Sequence, residues 1–149
     1  LEIDATGLNA VDGSGLSRAN RVSANMLSQL LLKTYNNDKY RTIYGGLPIG
    51  GVNGTMRNRF VTSAPKAIGL VRTKTGSLTG VVSMAGYVQG GDHEYIFVAI
   101  ADQIPKNPRA ARAARVAFDK VLAKFAKPVP GISPSPSAAI QSPDATTSN

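Results

Sequence analysis

The sequence predicts an α+β domain in which an antiparallel β-sheet is flanked by helices. Two observations carry this expectation. Three strand-like runs follow one another between Ala67 and Ala101 with short connections, which favours antiparallel pairing. Segments of helical period precede and follow them, at Ser23–Tyr35 and Pro105–Lys127. With 149 residues, 42% of them hydrophobic, the chain is about one domain long and can build a core.

The elements follow in order. "LNAVDGSGLSR", Leu8 to Arg18, carries the turn pairs Asp12-Gly13 and Ser14-Gly15 and reads as a structured loop. "SANMLSQLLLKTY", Ser23 to Tyr35, reads as a helix. Ser23 suits the N-cap, where its hydroxyl accepts from a free N–H of the first turn. Leu27, Leu30, Leu31 and Tyr35 share one face, and Asn36 to Asp38 end the helix. "LPIGGVNGTMRNRF", Leu47 to Phe60, opens as a loop with an Asn53-Gly54 turn and closes in a short helical turn. Ala67–Arg72 is the first strand expected. Leu78–Gln89 is the second, interrupted by Gly80 and Gly86. A hairpin loop at Gly90–His93 leads to "EYIFVAIA", Glu94 to Ala101, rich in β-branched and aromatic residues. A long helix spans Pro105–Lys127, with Pro105 or Pro108 in its first turn and an apolar stripe of Ala114, Phe118, Val121, Leu122 and Phe125. Lys124 and Lys127 complement its dipole. Pro128 to Asn149 carries five of the nine prolines and reads as a Pro/Ser-rich tail, disordered unless it lies against something.

Composition narrows the chemistry. The absence of cysteine excludes disulfides, thiolate metal sites and a Cys nucleophile, and fits an oxidising compartment slightly better than any other. A single histidine allows a Ser-His-Asp triad only through His93, and excludes zinc sites built on several histidines. No apolar run is long enough to span a membrane, and no signal peptide is expected within the chain, which opens at Leu1. The net charge of +8 admits two readings, solubility or attraction to a polyanion such as an anionic cell wall. No RNP-type strand or helix-turn-helix spacing supports nucleic acid.

The chemistry concentrates in "RTKTGSLTGVVSMAGYV", Arg72 to Val88. Lys74-Thr75-Gly76 offers an ammonium and a hydroxyl at one strand edge, a combination that can hold a carboxylate. Gly76 carries no side chain, so an extended peptide backbone can approach and pair with that strand. The next amide, Ser77 N–H, can point at a developing oxyanion. The bland alternative is a surface lysine beside a turn.

Three blocks, Val11–Ala24, Leu47–Phe60 and Arg72–Val88, resemble in order and spacing the C-terminal part of the class C low-molecular-mass penicillin-binding proteins. These are D-alanyl-D-alanine carboxypeptidases and endopeptidases, and the resemblance runs from about Leu8 to Phe125. It implies part of a penicillin-binding-protein/serine β-lactamase-like transpeptidase fold, with residues 1–127 as the C-terminal portion of the catalytic domain and 128–149 as a tail. The family works through Ser-x-x-Lys, Ser-x-Asn and Lys-Thr-Gly motifs around one cleft. A serine is acylated by the penultimate D-Ala, terminal D-Ala leaves, and water deacylates the enzyme; β-lactams acylate the same serine. The resemblance implies that Lys74 and Thr75 bind the substrate carboxylate and organise the proton network. Gly76 would allow docking and Ser77 N–H would serve the oxyanion hole. Ser14, Arg18, Leu78 and Thr79 would line the pocket for the peptide side chain, with Arg18 suited to the far carboxylate of a diaminopimelyl group. The bland alternative is that Arg18 caps its own loop and Ser14 only satisfies a turn. No cofactor or metal is implied, and the enzyme would work outside the cytoplasmic membrane.

Ser63-Ala64-Pro65-Lys66 and Ser23-Ala24-Asn25 match the two other motifs by pattern, and both are rejected. The nucleophilic pair needs Ser and Lys one helical turn apart, whereas Pro65 disfavours a helix and pushes Ala64 extended. Only eleven positions separate Ser63 from Lys74, too few for the domain the family inserts there. The true nucleophile and its lysine are expected upstream of Leu1, on an N-terminal piece that completes the fold. His93, Glu2, Asp4 and Asp12 read as turn or surface residues. The rival reading is a non-catalytic, basic cell-wall or peptidoglycan-binding module. A polyanion-binding domain is weaker still.

Overall fold

A computed structural model describes residues 2–131. The tail expected from Pro128 falls, from residue 132 onward, outside the described residues. The element order is α1 (Ala24–Tyr35), α2 (Arg41–Gly46), β1 (Val71–Leu78), β2 (Val81–Gly90), β3 (His93–Ala101) and α3 (Pro108–Phe125), with single 3-10 turns before α2, at Gly54–Met56 and at Pro65–Ala67. The strands form one antiparallel sheet in the order β1-β2-β3.

Several boundaries differ from expectation: α3 is shorter than Pro105–Lys127, Gly90 and His93 belong to β2 and β3, and two larger differences touch β1. Ala67 belongs to a 3-10 turn, and β1 begins only at Val71 and continues through Leu78. The Lys-Thr-Gly triplet therefore lies inside the strand. The run Leu78–Gln89 is not one strand: Leu78 ends β1, the chain turns at Thr79-Gly80, where Gly80 has φ +87°, and β2 starts at Val81. A left-handed turn residue favours glycine because no Cβ collides there. The helices begin as their caps dictate. Ser23 Oγ accepts from Met26 N at 3.1 Å, and Asn107 Oδ1 accepts from Ala110 N at 2.8 Å, with Pro108 in the first turn.

The core lies between α3, the loop 47–70 and one face of the sheet. Met56, Phe60, Ala67, Val71, Met84, Val88, Leu122 and Ala123 pack together there. Each fully buried Val, Leu, Met or Phe side chain among these stabilises by roughly 1.5–3 kcal/mol. The α3 stripe is rotated from the one expected. Phe118, Leu122, Ala123 and Ala126 meet the core, whereas Val121 and Phe125 are half exposed. Asp119 occupies part of the inward arc, 3% exposed, held by an ion pair with Arg59. On the opposite face Tyr87 is buried against Tyr35 and Tyr44, and its hydroxyl donates to the Leu31 carbonyl of α1 at 2.8 Å.

Two glycines are set by packing. A Cβ at Gly86 would overlap the Arg72 carbonyl oxygen across the β1–β2 pair. A Cβ at Gly50 would sit 2.6 Å from the Phe60 ring, which is buried although Phe60 has φ +68°. Thus much of the "LPIGGVNGTMRNRF" block serves the core. It also decides how much of β1 stays open.

Candidate active site

The outer edge of β1 is divided in two. Gly50 N donates to Val71 O at 2.8 Å and Thr73 N donates to Pro48 O at 2.9 Å, so the loop covers the first part of the edge. In an antiparallel pair, alternate residues turn their N–H and C=O toward the partner strand. The bonds at Val71 and Thr73 therefore fix the outward set as 71, 73, 75 and 77, while Lys74 and Gly76 bond toward β2. Past Thr73 the loop departs. Among the described residues no protein group pairs with Thr75 N–H or Ser77 N–H. Two outward amides 6–7 Å apart by strand geometry are left open to an added extended chain.

Side chains gather around this opening. Lys74 is exposed, and its Nζ folds back to donate to Thr75 O at 2.6 Å, which brings the ammonium to the outer edge. A cavity of about 280 Å³ adjoins the strand, walled in part by Thr75, Gly76, Ser77, Ser83, Arg59 and Arg115. Lys74 does not line it. A Cβ at Gly76 would overlap the Ser83 hydroxyl of β2, so the missing side chain also serves packing within the sheet.

Arg18 and Ser14 separate. Arg18 Nη1 donates to Thr79 O at 3.0 Å, so it reaches the β1–β2 turn and does not cap its own loop. Ser14 Oγ donates to Asp12 Oδ2 at 2.9 Å and accepts from Leu16 N at 3.3 Å, a bonding pattern local to its turn. Asp12 organises that loop by accepting from Asn20, Ser14, Gly15 and Ser17. Hydrogen bonds from Asn20 and then Ser14 hold its carboxyl below the usual carboxylate range. Leu78 and Thr79 lie beside a second cavity of about 370 Å³ that also touches Lys106 and Arg115.

The two decoy motifs have structural work. Ser23 caps α1. Ser63 Oγ donates to Asp119 Oδ2 at 2.9 Å, and Lys66 is exposed in a 3-10 turn rather than stacked one α-turn away. His93 is exposed, with Nδ1 2.6 Å from Asp92 Oδ1, and a hydrogen bond to His93 lowers the Asp92 pKa. Among the described residues no cluster of His, Cys, Asp and Glu could hold a metal, and no helix is long and apolar enough to cross a membrane.

Sequence reasoning missed three residues at the site. Arg59 and Asp119 form an ion pair with Nη2–Oδ1 at 2.5 Å and Nε–Oδ2 at 3.2 Å. Arg115, one turn before Asp119, donates from Nη2 to Ser77 Oγ at 2.8 Å and so ties α3 to the strand. One signal was visible: Asp119 is the only acid in an otherwise basic helix, and it falls on the inward side.

The comparisons with known proteins concern most of this chain. The model of the D-Ala-D-Ala carboxypeptidase 3 (S13) family matches residues 1–125. The chain is 39% identical over 102 residues to a D-alanyl-D-alanine carboxypeptidase of Actinomadura sp. (strain R39), covering 65% of this chain and 19% of that protein. It is 41% identical over 90 residues to carboxypeptidase DacB of Mycolicibacterium smegmatis, covering 58% of this chain and 20% of the relative. Penicillin binding protein 4 (dacB) from Haemophilus influenzae, solved in complex with a β-lactam, superposes with a TM-score of 0.66 at 30% identity, over 78% of this chain and 28% of that one. The chain thus spans about a fifth of these curated relatives and just over a quarter of the solved one.

Proposed function

The chain belongs to the D-Ala-D-Ala carboxypeptidase 3 (S13) family, and from that premise we propose that it forms the Lys-Thr-Gly wall of a serine-type D-Ala-D-Ala carboxypeptidase or endopeptidase acting on peptidoglycan stem peptides. Its sheet and helices are a part of the penicillin-binding-protein fold. The observation that carries the reading is the open half of the β1 edge, where the outward Thr75 and Ser77 amides meet a cavity beside an ammonium.

The substrate lies along that edge as an added antiparallel strand. Gly76 leaves its backbone approachable. Lys74 and Thr75 receive the terminal carboxylate, with Lys74 Nζ exchanging its present bond to Thr75 O for the ligand. A serine of the region upstream of Leu1 attacks the penultimate D-Ala carbonyl, and its proton passes to a lysine of the same Ser-x-x-Lys pair. The carbonyl oxygen gains negative charge and accepts from Ser77 N–H, a donor already aimed outward. Terminal D-Ala departs as an amine carrying the transferred proton. Water then cleaves the acyl-enzyme ester. β-Lactams stop at the acyl stage on the same serine. Arg18, Leu78 and Thr79 meet the side chain of the stem peptide, and Ser14 shapes the loop that carries Arg18. The enzyme acts outside the cytoplasmic membrane, needs no cofactor, and joins this chain to its N-terminal region.

Labelling the full-length protein with a fluorescent penicillin tests the reading. Peptide mapping is expected to find the label on a serine outside this chain, with loss of labelling in Lys74→Ala. A label on Ser63 or Ser23, or a complete lack of labelling, refutes it.

A further inference from the structure

We infer that Arg115 of α3 is a specificity-determining residue that receives the carboxylate end of the ligand lying along β1. The inference rests on the reading above and adds a residue from a different element to it.

Arg115 stands in the wall shared by the two cavities that flank the strand, about 280 and 370 Å³. Neither wall contains an acidic residue. The nearest acid along the helix is Asp119, and its oxygens are occupied. Oδ1 accepts from Arg59 Nη2, and Oδ2 accepts from Arg59 Nε and Ser63 Oγ. Asp119 therefore neutralises Arg59. Among the described residues Arg115 makes no ion pair, and its one side-chain bond goes to a neutral hydroxyl, Ser77 Oγ at 2.8 Å. One guanidinium charge in the cavity wall is left uncompensated.

The surroundings suit a planar anion. The guanidinium has five N–H donors in a fixed fork, which matches a carboxylate bidentately. Arg59 Nη2 also donates to the Arg115 carbonyl at 3.2 Å, so the backbone from which the side chain reaches is held. A Ser77 hydroxyl that accepts from Arg115 keeps its own proton available to donate. The Thr75 and Ser83 hydroxyls in the same wall make no hydrogen bond among the described residues. A positive fork with unspent hydroxyl donors around it selects a free C-terminal carboxylate over a neutral end. The bland alternative is a strut, in which Arg115 merely ties α3 to β1 through Ser77.

The two differ in a ligand preference that a strut cannot move. Equilibrium binding of an N-acylated D-Ala-D-Ala acid is compared with that of its C-terminal amide, in the full-length protein whose Ser-x-x-Lys serine is replaced by alanine so that neither ligand is cleaved, and in the same protein carrying Arg115→Gln, Arg115→Lys or Arg115→Ala. The acid-over-amide preference is expected to fall about 10- to 100-fold in R115Q and R115A, the range for losing a charge-assisted bond. R115K should recover part of it. Circular dichroism melting checks that each variant folds, and R115Q, close in length to arginine, stands in if R115A does not. A preference that survives R115Q, or its absence in the unsubstituted protein, overturns the inference. Because this binding assay involves no covalent step, it stands apart from penicillin labelling: loss of labelling alone removes the acyl-enzyme mechanism, whereas a retained preference in R115Q alone removes the role of Arg115.

Discussion

Asp119→Ala is the perturbation with the largest consequence that the structure allows to be worked out. The side chains of Arg59 and Asp119 are 16% and 4% exposed. Removing the carboxylate leaves a guanidinium in the core margin without its counter-ion, and leaves the Ser63 hydroxyl without its acceptor. Breaking a buried pair from one side costs about 3–5 kcal/mol, because the remaining charge stays desolvated. At up to about 2–4 °C per kcal/mol, less in a larger unfolding unit, the melting temperature of the full-length protein should drop by up to roughly 10 °C. The pair itself contributes much less, since desolvation offsets most of its Coulomb attraction. The double variant Arg59→Met with Asp119→Leu should therefore recover most of the loss. Differential scanning calorimetry with urea unfolding measures both. If D119A costs less than about 1 kcal/mol, or the double variant is as unstable as the single one, the account of this pair as a buried and mutually compensating charge fails.

Three further outcomes follow from other parts of the fold. Gly76→Ala should destabilise by roughly 1–3 kcal/mol through overlap with the Ser83 hydroxyl, and Gly76→Ala with Ser83→Ala should fold normally yet still label poorly with penicillin; normal labelling of the double variant would show that the strand needs no bare backbone for its ligand. Asn107→Ala removes the α3 cap and should cost about 1 kcal/mol in urea unfolding; no measurable loss would contradict the capping role. Burial pushes the Tyr87 phenol up to about 12. Its folded pKa lies above its unfolded one, so its contribution is complete below an unfolded pKa of about 10 and is lost as pH rises from there through about 12. An ultraviolet titration in which Tyr87→Phe removes no late-titrating phenol would contradict that environment.

The fold class was legible because its signals are local. Ser23 and Asn107 announce their helices through one hydroxyl or amide side chain each, and "EYIFVAIA" reads as a strand from composition alone. The triplet was legible as chemistry at a strand edge, but the strand expected there, Ala67–Arg72, stopped short of it, whereas β1 runs Val71–Leu78. Ala67–Arg72 looks like a strand by its aliphatic residues, yet Pro65 locks a 3-10 turn there, and pairing with β2 carries β1 on to Leu78. That extension depends on Gly86 tolerating the Arg72 carbonyl, a contact between residues fourteen apart that no local pattern records. The partners of Arg59 and Arg115 were equally hidden. Their bonds to Asp119 and Ser77 span 60 and 38 positions, and charge counting treats every arginine alike.

A basic chain makes one selective positive site only by cancelling charge around it. A net charge of +8 spread over the surface is screened by salt within about 10 Å and selects little. Specificity comes from where charge is cancelled. Asp119 silences Arg59, the guanidinium buried behind the cavity, and leaves Arg115 and Lys74 unmatched on either side of the open strand. In the proposed reading, the outward amides of Thr75 and Ser77 orient whatever those cations attract, since an extended chain pairs with that edge in only one register without leaving its carboxylate away from both. The loop 47–60 sets the limit of that register by covering Val71 and Thr73 and stopping there. A change that lengthened the loop's pairing by one more bond, to Thr75, would close the site while leaving every side chain named here in its position.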